Sequence, residues 1–377
     1  MSTANRARAS GGLLLLVALS ATACRSPEHY FTRGQHAETV ALKIAYYTAS
    51  LDAKPDQVVV LRERGASLIL AGEHARAKTD LDRALELGGE HAKTLCNRAV
   101  AHLELNQRDQ ARADLERALV LEPELAEAHD NLGRVRELSG QFPEALAAYG
   151  RAIEVDPRYA IAHLNRGRLR FRLGNHADAR SDYLEAIDKG DQVLGQLAYQ
   201  DLVCTWLAER KVTQALDALT EAQVKLPGSP RWVYLLGALL YIQGKYREAG
   251  QCLAEAHLRR YQREYCYVFM ALATKRVYDQ DHHALMRDIL ASEGLSGWPR
   301  PILECYAGTR TPAEVLAGVT TEEDKAIAGY YLGELALIDG DATRAHEHFA
   351  LAAKADSPTT PEKHLAALRL MLAESTG

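Results

Sequence analysis

The chain has 377 residues, of which 25% are charged and 47% hydrophobic, and its formal net charge is −5. A mildly acidic balance argues against nucleic acid as the main partner. A chain of this length exceeds one ordinary hydrophobic core, so it either divides into domains or repeats.

The first informative stretch is LLLLVALSATAC, from Leu13 to Cys24. Its solidly apolar part ends at Leu19, well short of the roughly 20 residues that carry a helix across a bilayer. Arg6 and Arg8 precede it with no acidic residue, and the small residues Ala21, Thr22 and Ala23 follow. A basic start, a short apolar middle and a small-residue exit make a secretory leader over residues 1–23. The ATAC stretch resembles a bacterial lipobox, with Ala21 where Leu is usual. That resemblance implies that Cys24 is lipidated and becomes the mature N-terminus. Residues 24–57 then read as a lipidated start, a short tether over 25–35 and an amphipathic helix over 36–52. Val40, Ile44, Tyr47 and Leu51 form the stripe of that helix.

From residue 58 the chain repeats. Gly65, Ala99, Gly133 and Gly167 recur every 34 residues, and so do Ala77, Ala111, Ala145 and Ala179. Leu81, Leu115, Tyr149 and Tyr183 form a third series, and Ala84, Ala118, Ala152 and Ala186 a fourth. Period and pattern resemble the tetratricopeptide repeat (TPR), a pair of antiparallel helices. The small residues at the eighth and twentieth places are expected to face each other, which lets the two helices approach closely. The large residue at the twenty-fourth place fills the space beside them. Gly72, Asn106, Gly140 and Gly174 share a further place, where the first helix must end in a left-handed backbone. Pro123 and Pro157 stop second helices, since proline cannot continue one.

Residues 58–193 are therefore four TPR units. After a slip of two residues, 194–263 fit two more, carried by Ala215, Leu219 and Ala222 and then by Gly237, Gly244, Ala249 and Leu253. Residues 264–325 read as a degenerate helical stretch. The pattern returns over 326–377 with Gly333, Gly340, Ala345, Phe349 and Ala352, followed by a last helix begun by Thr360 and Pro361. Its Leu365, Leu368 and Leu372 share one face, as suits a helix that covers the open end of a repeat array. The expected fold is all-α: a TPR solenoid of antiparallel hairpins, about seven or eight units long, with flanking helices at both ends.

No GxSxG, HExxH, Walker or GxGxxG pattern is present. The pairs His282–His283 and His346–His348 cannot converge on a metal by themselves, because helix neighbours one or two apart point different ways. The five cysteines after Cys24 are scattered and make neither a zinc spacing nor a disulfide framework. We therefore expect no catalytic residues, no metal and no cofactor.

In TPR proteins the second, fifth, ninth, twelfth and thirteenth places of each first helix line a groove. The resemblance puts Glu127, Asp130, Arg134, Glu137 and Leu138 there in the third unit. In the fourth it puts Ile161, Leu164, Arg168, Phe171 and Arg172. Arg134, Arg168 and Arg172, with Leu164 and Phe171, make a candidate site for an acidic or C-terminal peptide. Asn97, Asn131 and Asn165, at the sixth place, read as structural.

Two stretches, YAIAHLNRGRLRFRLGNHADARSDYLEAI (159–187) and GYYLGELALIDGDATRAHEHFALAAKAD (329–356), are similar to the NlpI-type bacterial outer-membrane lipoproteins. So is the order of parts, including GWPRPILECYAGTRTPAEVL (297–316) before the last clear repeat. The resemblance spans about 58–191 and 264–373, and the two units within 194–263 are extra to it. It implies a homodimeric scaffold, lipid-anchored in the outer membrane and facing the periplasm. Its implied partners are a periplasmic protease and peptidoglycan hydrolases. A different class of reading is a TPR lipoprotein that assembles a pilus or other outer-membrane complex.

Overall fold

The computed structural model describes residues 26–227, 229–258, 266, 268, 272–273, 276, 282–292, 300–357 and 360–374. The expected leader and Cys24 lie outside them. Every regular element among the described residues is an α-helix. The chain divides into two compact units, Met1–Asn165 and Arg166–Gly377.

Unit 1 holds α1 (Pro27–Gln35), α2 (Val40–Ala53), α3 (Val58–Leu70), α4 (His74–Gly88), α5 (Ala92–Glu104), α6 (Arg108–Leu121), α7 (Ala126–Leu138) and α8 (Phe142–Val155). It also holds the start of α9 (Ala160–Arg172). Helices α3 and α4, α5 and α6, and α7 and α8 pair as hairpins, and each hairpin packs on the next. Each first helix ends at a left-handed residue: Gly72 at φ +75°, Asn106 at +59° and Gly140 at +76°. Asparagine tolerates that region better than other side chains, which explains its place in this series.

Hairpin closeness has a more specific cause than two facing small residues. The twentieth-place Ala77, Ala111 and Ala145 are fully buried, as expected. The group standing on the eighth-place glycine, however, is the twenty-fourth-place side chain. A Cβ on Gly133 would lie 2.6 Å from the Tyr149 ring, and one on Gly65 would lie 2.8 Å from Leu81. The glycine is thus the floor of the slot that the larger side chain fills.

A second recurring device lies beside it. Arg64 grips Asp80 through two bonds of 2.7 and 2.8 Å, and Arg98 grips Asp114 through two of 2.7 and 2.6 Å. Both aspartates are buried, so removing either guanidinium would leave a buried carboxylate without its partner. In the third hairpin the same two places hold Leu132 and Ala148, both buried. The ionic pair is there replaced as a whole by an apolar one, leaving no charge stranded.

The N-terminal stretch departs from expectation. Residues 27–35 are not a tether but a helix. The Ser26 side chain accepts from the His29 amide and Pro27 opens the first turn, where its missing N–H costs nothing. Helix α1 folds back on α2, with Phe31 against Tyr47 at 5.9 Å between ring centres and Ser50 donating to the Pro27 carbonyl at 2.8 Å. The amphipathic helix expected over 36–52 starts later, at Val40, because Thr39 caps it.

Unit 2 holds the remainder of α9, then α10 (His176–Lys189), α11 (Gln192–Ala208), α12 (Val212–Lys225), α13 (Pro230–Ile242), α14 (Tyr246–Leu258), α15 (His282–Ser292), α16 (Arg300–Tyr306), α17 (Pro312–Ala317), α18 (Glu322–Ile338), α19 (Ala342–Lys354) and α20 (Pro361–Glu374). The same slot recurs, with Gly167 under Tyr183, Gly237 under Leu253 and Gly333 under Phe349. The two-residue slip is absorbed by α11, which runs 17 residues against 13 in α9. Asp191 caps it at the Leu194 amide. Its terminating left-handed residue is Arg210, φ +61°, where the other described repeats use glycine or asparagine. Among the described residues, Cys96, Cys204, Cys252, Cys266 and Cys305 form no disulfide.

Helix α20 corrects a second expectation. It packs on α18 and α19 but also on α11 and α13, so it does more than cover the end of the last hairpin. Leu365 and Leu368 are buried, whereas Leu372 is 37% exposed and lies off the buried stripe.

The slot generates a test with an internal control. Ala145 is fully buried and Ala147 is exposed on the same helix. Ala145→Leu is expected to overpack the hairpin and cost about 1–3 kcal/mol, seen as a lower melting temperature. Ala147→Leu is expected to leave it almost unchanged, and equal losses from the two would contradict the repeat register.

Candidate protein-binding faces

First helices carry the places that a TPR groove would use. The five candidate residues divide between the units, Arg134 and Leu164 in unit 1 and Arg168, Phe171 and Arg172 in unit 2. Most are already engaged.

In unit 1, Arg134 reaches Glu104 at 3.2 Å and the Asn131 carbonyl oxygen at 3.4 Å. Leu164 is buried and offers nothing to an incoming chain. Asp130 is buried as well and accepts two bonds from the Asn165 amide, at 3.0 and 3.2 Å. Asn131 makes the equivalent reach, to Cys96 Sγ at 3.5 Å. Both sixth-place asparagines therefore tie one repeat to the one before it, in line with a structural role. Burial pushes the Asp130 carboxyl up to about 6, against the pull of Asn165 and Arg134. Burial likewise raises the Cys96 thiol to about 11, which keeps it protonated and unreactive.

In unit 2, Arg168 Nε donates to Asp201 at 2.6 Å, and Asp201 is only 1% exposed. Removing Arg168 would strand a buried carboxylate, so an alanine there reports on stability before it reports on binding. Phe171 is buried, with its ring 5.1 Å from His176 and 5.7 Å from His364. Arg172 is exposed on the last turn of α9. The residues read from the sequence as an open peptide groove are thus largely part of the packing.

Sequence reasoning missed a denser polar cluster inside unit 2. Tyr234 and Tyr331 share a hydroxyl contact of 2.5 Å, and Tyr234 also donates to Glu362 at 3.2 Å. Glu334 takes two bonds from Arg369, at 2.5 and 3.0 Å, with the carboxylate fully buried. The available signal was Glu334 itself, a lone carboxylate in the otherwise apolar run IAGYYLGELALI. Among the described residues, no group of three or more His, Cys, Asp or Glu side chains could hold a metal. No described helix is long and apolar enough to cross a membrane.

A tetratricopeptide-repeat family model matches residues 132–193 and 202–264, and a second such model matches 92–125. The 202–264 match overlaps most of the two hairpins within 194–263 that the resemblance to NlpI-type proteins did not cover. No curated protein sequence matches this chain. Among solved structures, a tetratricopeptide repeat protein from Parabacteroides merdae is 18% identical, with a TM-score of 0.47 over 66% of this chain and 98% of its own. A MamA protein is 23% identical, with a TM-score of 0.36 over 43% of this chain and 91% of its own. YrrB, described as a TPR protein with an unusual peptide-binding site, is 24% identical, with a TM-score of 0.33 over 41% of this chain and 80% of its own. The chain carries TPR repeats, the architecture of protein–protein interaction scaffolds.

The buried Asp130 gives a pH test with a defined sign. Its folded-state pKa, about 6, lies above the ordinary 3.8, so the native state binds the proton more tightly than the unfolded chain. Its contribution makes stability fall as pH rises from about 3.8 to about 6 and then level off. Asp130→Asn removes that titration. Urea unfolding at acid and at neutral pH is expected to show the variant gaining on the wild type at neutral pH, and an unchanged gap would contradict the assignment.

Proposed function

We propose that this chain is a tethered protein-binding scaffold. A lipid on Cys24 holds it to the outer membrane, and the repeats present partners in the periplasm. The observation that carries the binding role is the succession of TPR hairpins in both units. The tether rests on the basic start, the apolar run Leu13–Leu19 and the small-residue exit before Cys24. Two acyl chains give stable anchoring where one gives only reversible binding. The likeness to NlpI-type lipoproteins supports a more specific role, in which the scaffold brings a periplasmic protease to peptidoglycan hydrolases and so governs hydrolase turnover. A homodimer belongs to the same reading.

Membrane fractionation combined with crosslinking tests both parts. Cys24→Ser is expected to leave the outer-membrane fraction and to appear as soluble or unprocessed protein. Crosslinking from the periplasmic side of the wild type is expected to capture a protease or a hydrolase. Retention of the serine variant in the outer membrane with unchanged mass would overturn the tether. Capture of pilus or secretin components alone would replace the turnover role with an assembly role.

A further inference from the structure

Helix α20 sits on the first-helix face of unit 2. Besides its sequence neighbour α19, it packs on α11, α13 and α18. All three are first helices of their hairpins, the elements that carry groove places. Phe171, on a fourth first helix, meets His364 of α20.

The chemistry of the seat is that of recognition. Glu362, in the first turn of α20, is buried and meets the Tyr234 hydroxyl. Seven residues on, Arg369 grips the buried Glu334 and lies 5.4 Å over the Tyr241 ring. A spacing of seven puts both charges on one face, roughly 10 Å apart along the helix. Leu365 and Leu368 lie between them and are buried. Tyrosines and an arginine around a desolvated charge pair are what concentrates energy in protein interfaces. They also fix register, since any other helix placement would strand Glu334.

We infer that the first-helix face of unit 2 is a receptor for an amphipathic helix, and that α20 is its resident ligand. A partner segment with a carboxylate in its first turn, a guanidinium two turns later and leucines between competes for the same seat. The inference rests on the scaffold reading and adds the class of partner and the gate that a partner must displace.

The test uses the full chain and a fluorescent synthetic peptide of residues 358–377. The wild type, with its seat filled, is expected to bind the peptide at least tenfold more weakly than the Arg369→Glu variant, whose own α20 is repelled by Glu334. A peptide carrying the same Arg369→Glu change is expected to bind neither. Equal binding to both proteins, or no binding to a variant with unchanged helical content, overturns the proposal. Should the variant not fold, hydrogen exchange on the wild type decides. Amides of α20 exchanging about a hundredfold faster than those of α18 support a displaceable ligand, and exchange in step with α18 overturns it. Loss of the peptide effect alongside intact periplasmic crosslinks would sink the gate and leave the scaffold reading standing.

Discussion

The ring of Tyr149 rests on the bare Cα of Gly133, where a single added carbon would stand 2.6 Å from it. That contact sets how closely two helices of a hairpin approach, and the repeats depend on it. Close approach buries the alanine of the twentieth place completely. It also fixes which residues of the first helix turn away from the hairpin toward the adjoining repeats. Over a glycine the slot is filled by tyrosine, leucine or phenylalanine, while the second hairpin sets Leu115 over Ala99, so the bare Cα belongs to the glycine-bearing hairpins and not to every repeat.

Charge is arranged around this frame under a consistent rule: a buried carboxylate has a named cation or is absent with its partner. Arg64–Asp80, Arg98–Asp114 and Arg166–Asp182 repeat the same ion pair, and the third hairpin replaces both members with Leu132 and Ala148. Unit 2 applies the rule between more distant elements, through Arg168–Asp201 and Arg369–Glu334. Asp130 and Glu362 are exceptions, and Glu362 meets a tyrosine hydroxyl in place of a cation. The closest partner of Asp130 is an amide, and burial pushes its carboxyl toward the neutral form against the pull of that amide.

Much of this was legible in the sequence because it is local and periodic. The glycine, alanine and large-residue series and the turn residues follow directly from the 34-residue period, and the inserted hairpins followed once the two-residue slip was allowed for. The helix over 27–35 was not legible, because a nine-residue segment of low hydrophobicity forms here through Ser26, Pro27 and packing against α2. The candidate groove was misjudged for a related reason. Place numbers locate Arg168 and Phe171 on the first-helix face, but not Asp201 and His364, which come from helices 33 and 193 residues further on. The missing signal was that α20 returns to α11 and α13, which no repeat pattern encodes.

The central claim is that, in the glycine-bearing hairpins, geometry is set by the empty eighth place beneath the twenty-fourth-place side chain. A double-mutant cycle on Gly133 and Tyr149 tests it most directly, because the second hairpin already uses alanine beneath leucine, at Ala99 and Leu115. Helix propensity alone would have Gly133→Ala stabilise by up to about 1 kcal/mol. We predict instead that Gly133→Ala destabilises the protein. Combined with Tyr149→Leu, it should cost less than the sum of the single changes by on the order of 1 kcal/mol in denaturant unfolding. Strict additivity, or a stabilising Gly133→Ala beside an intact Tyr149, would contradict the account.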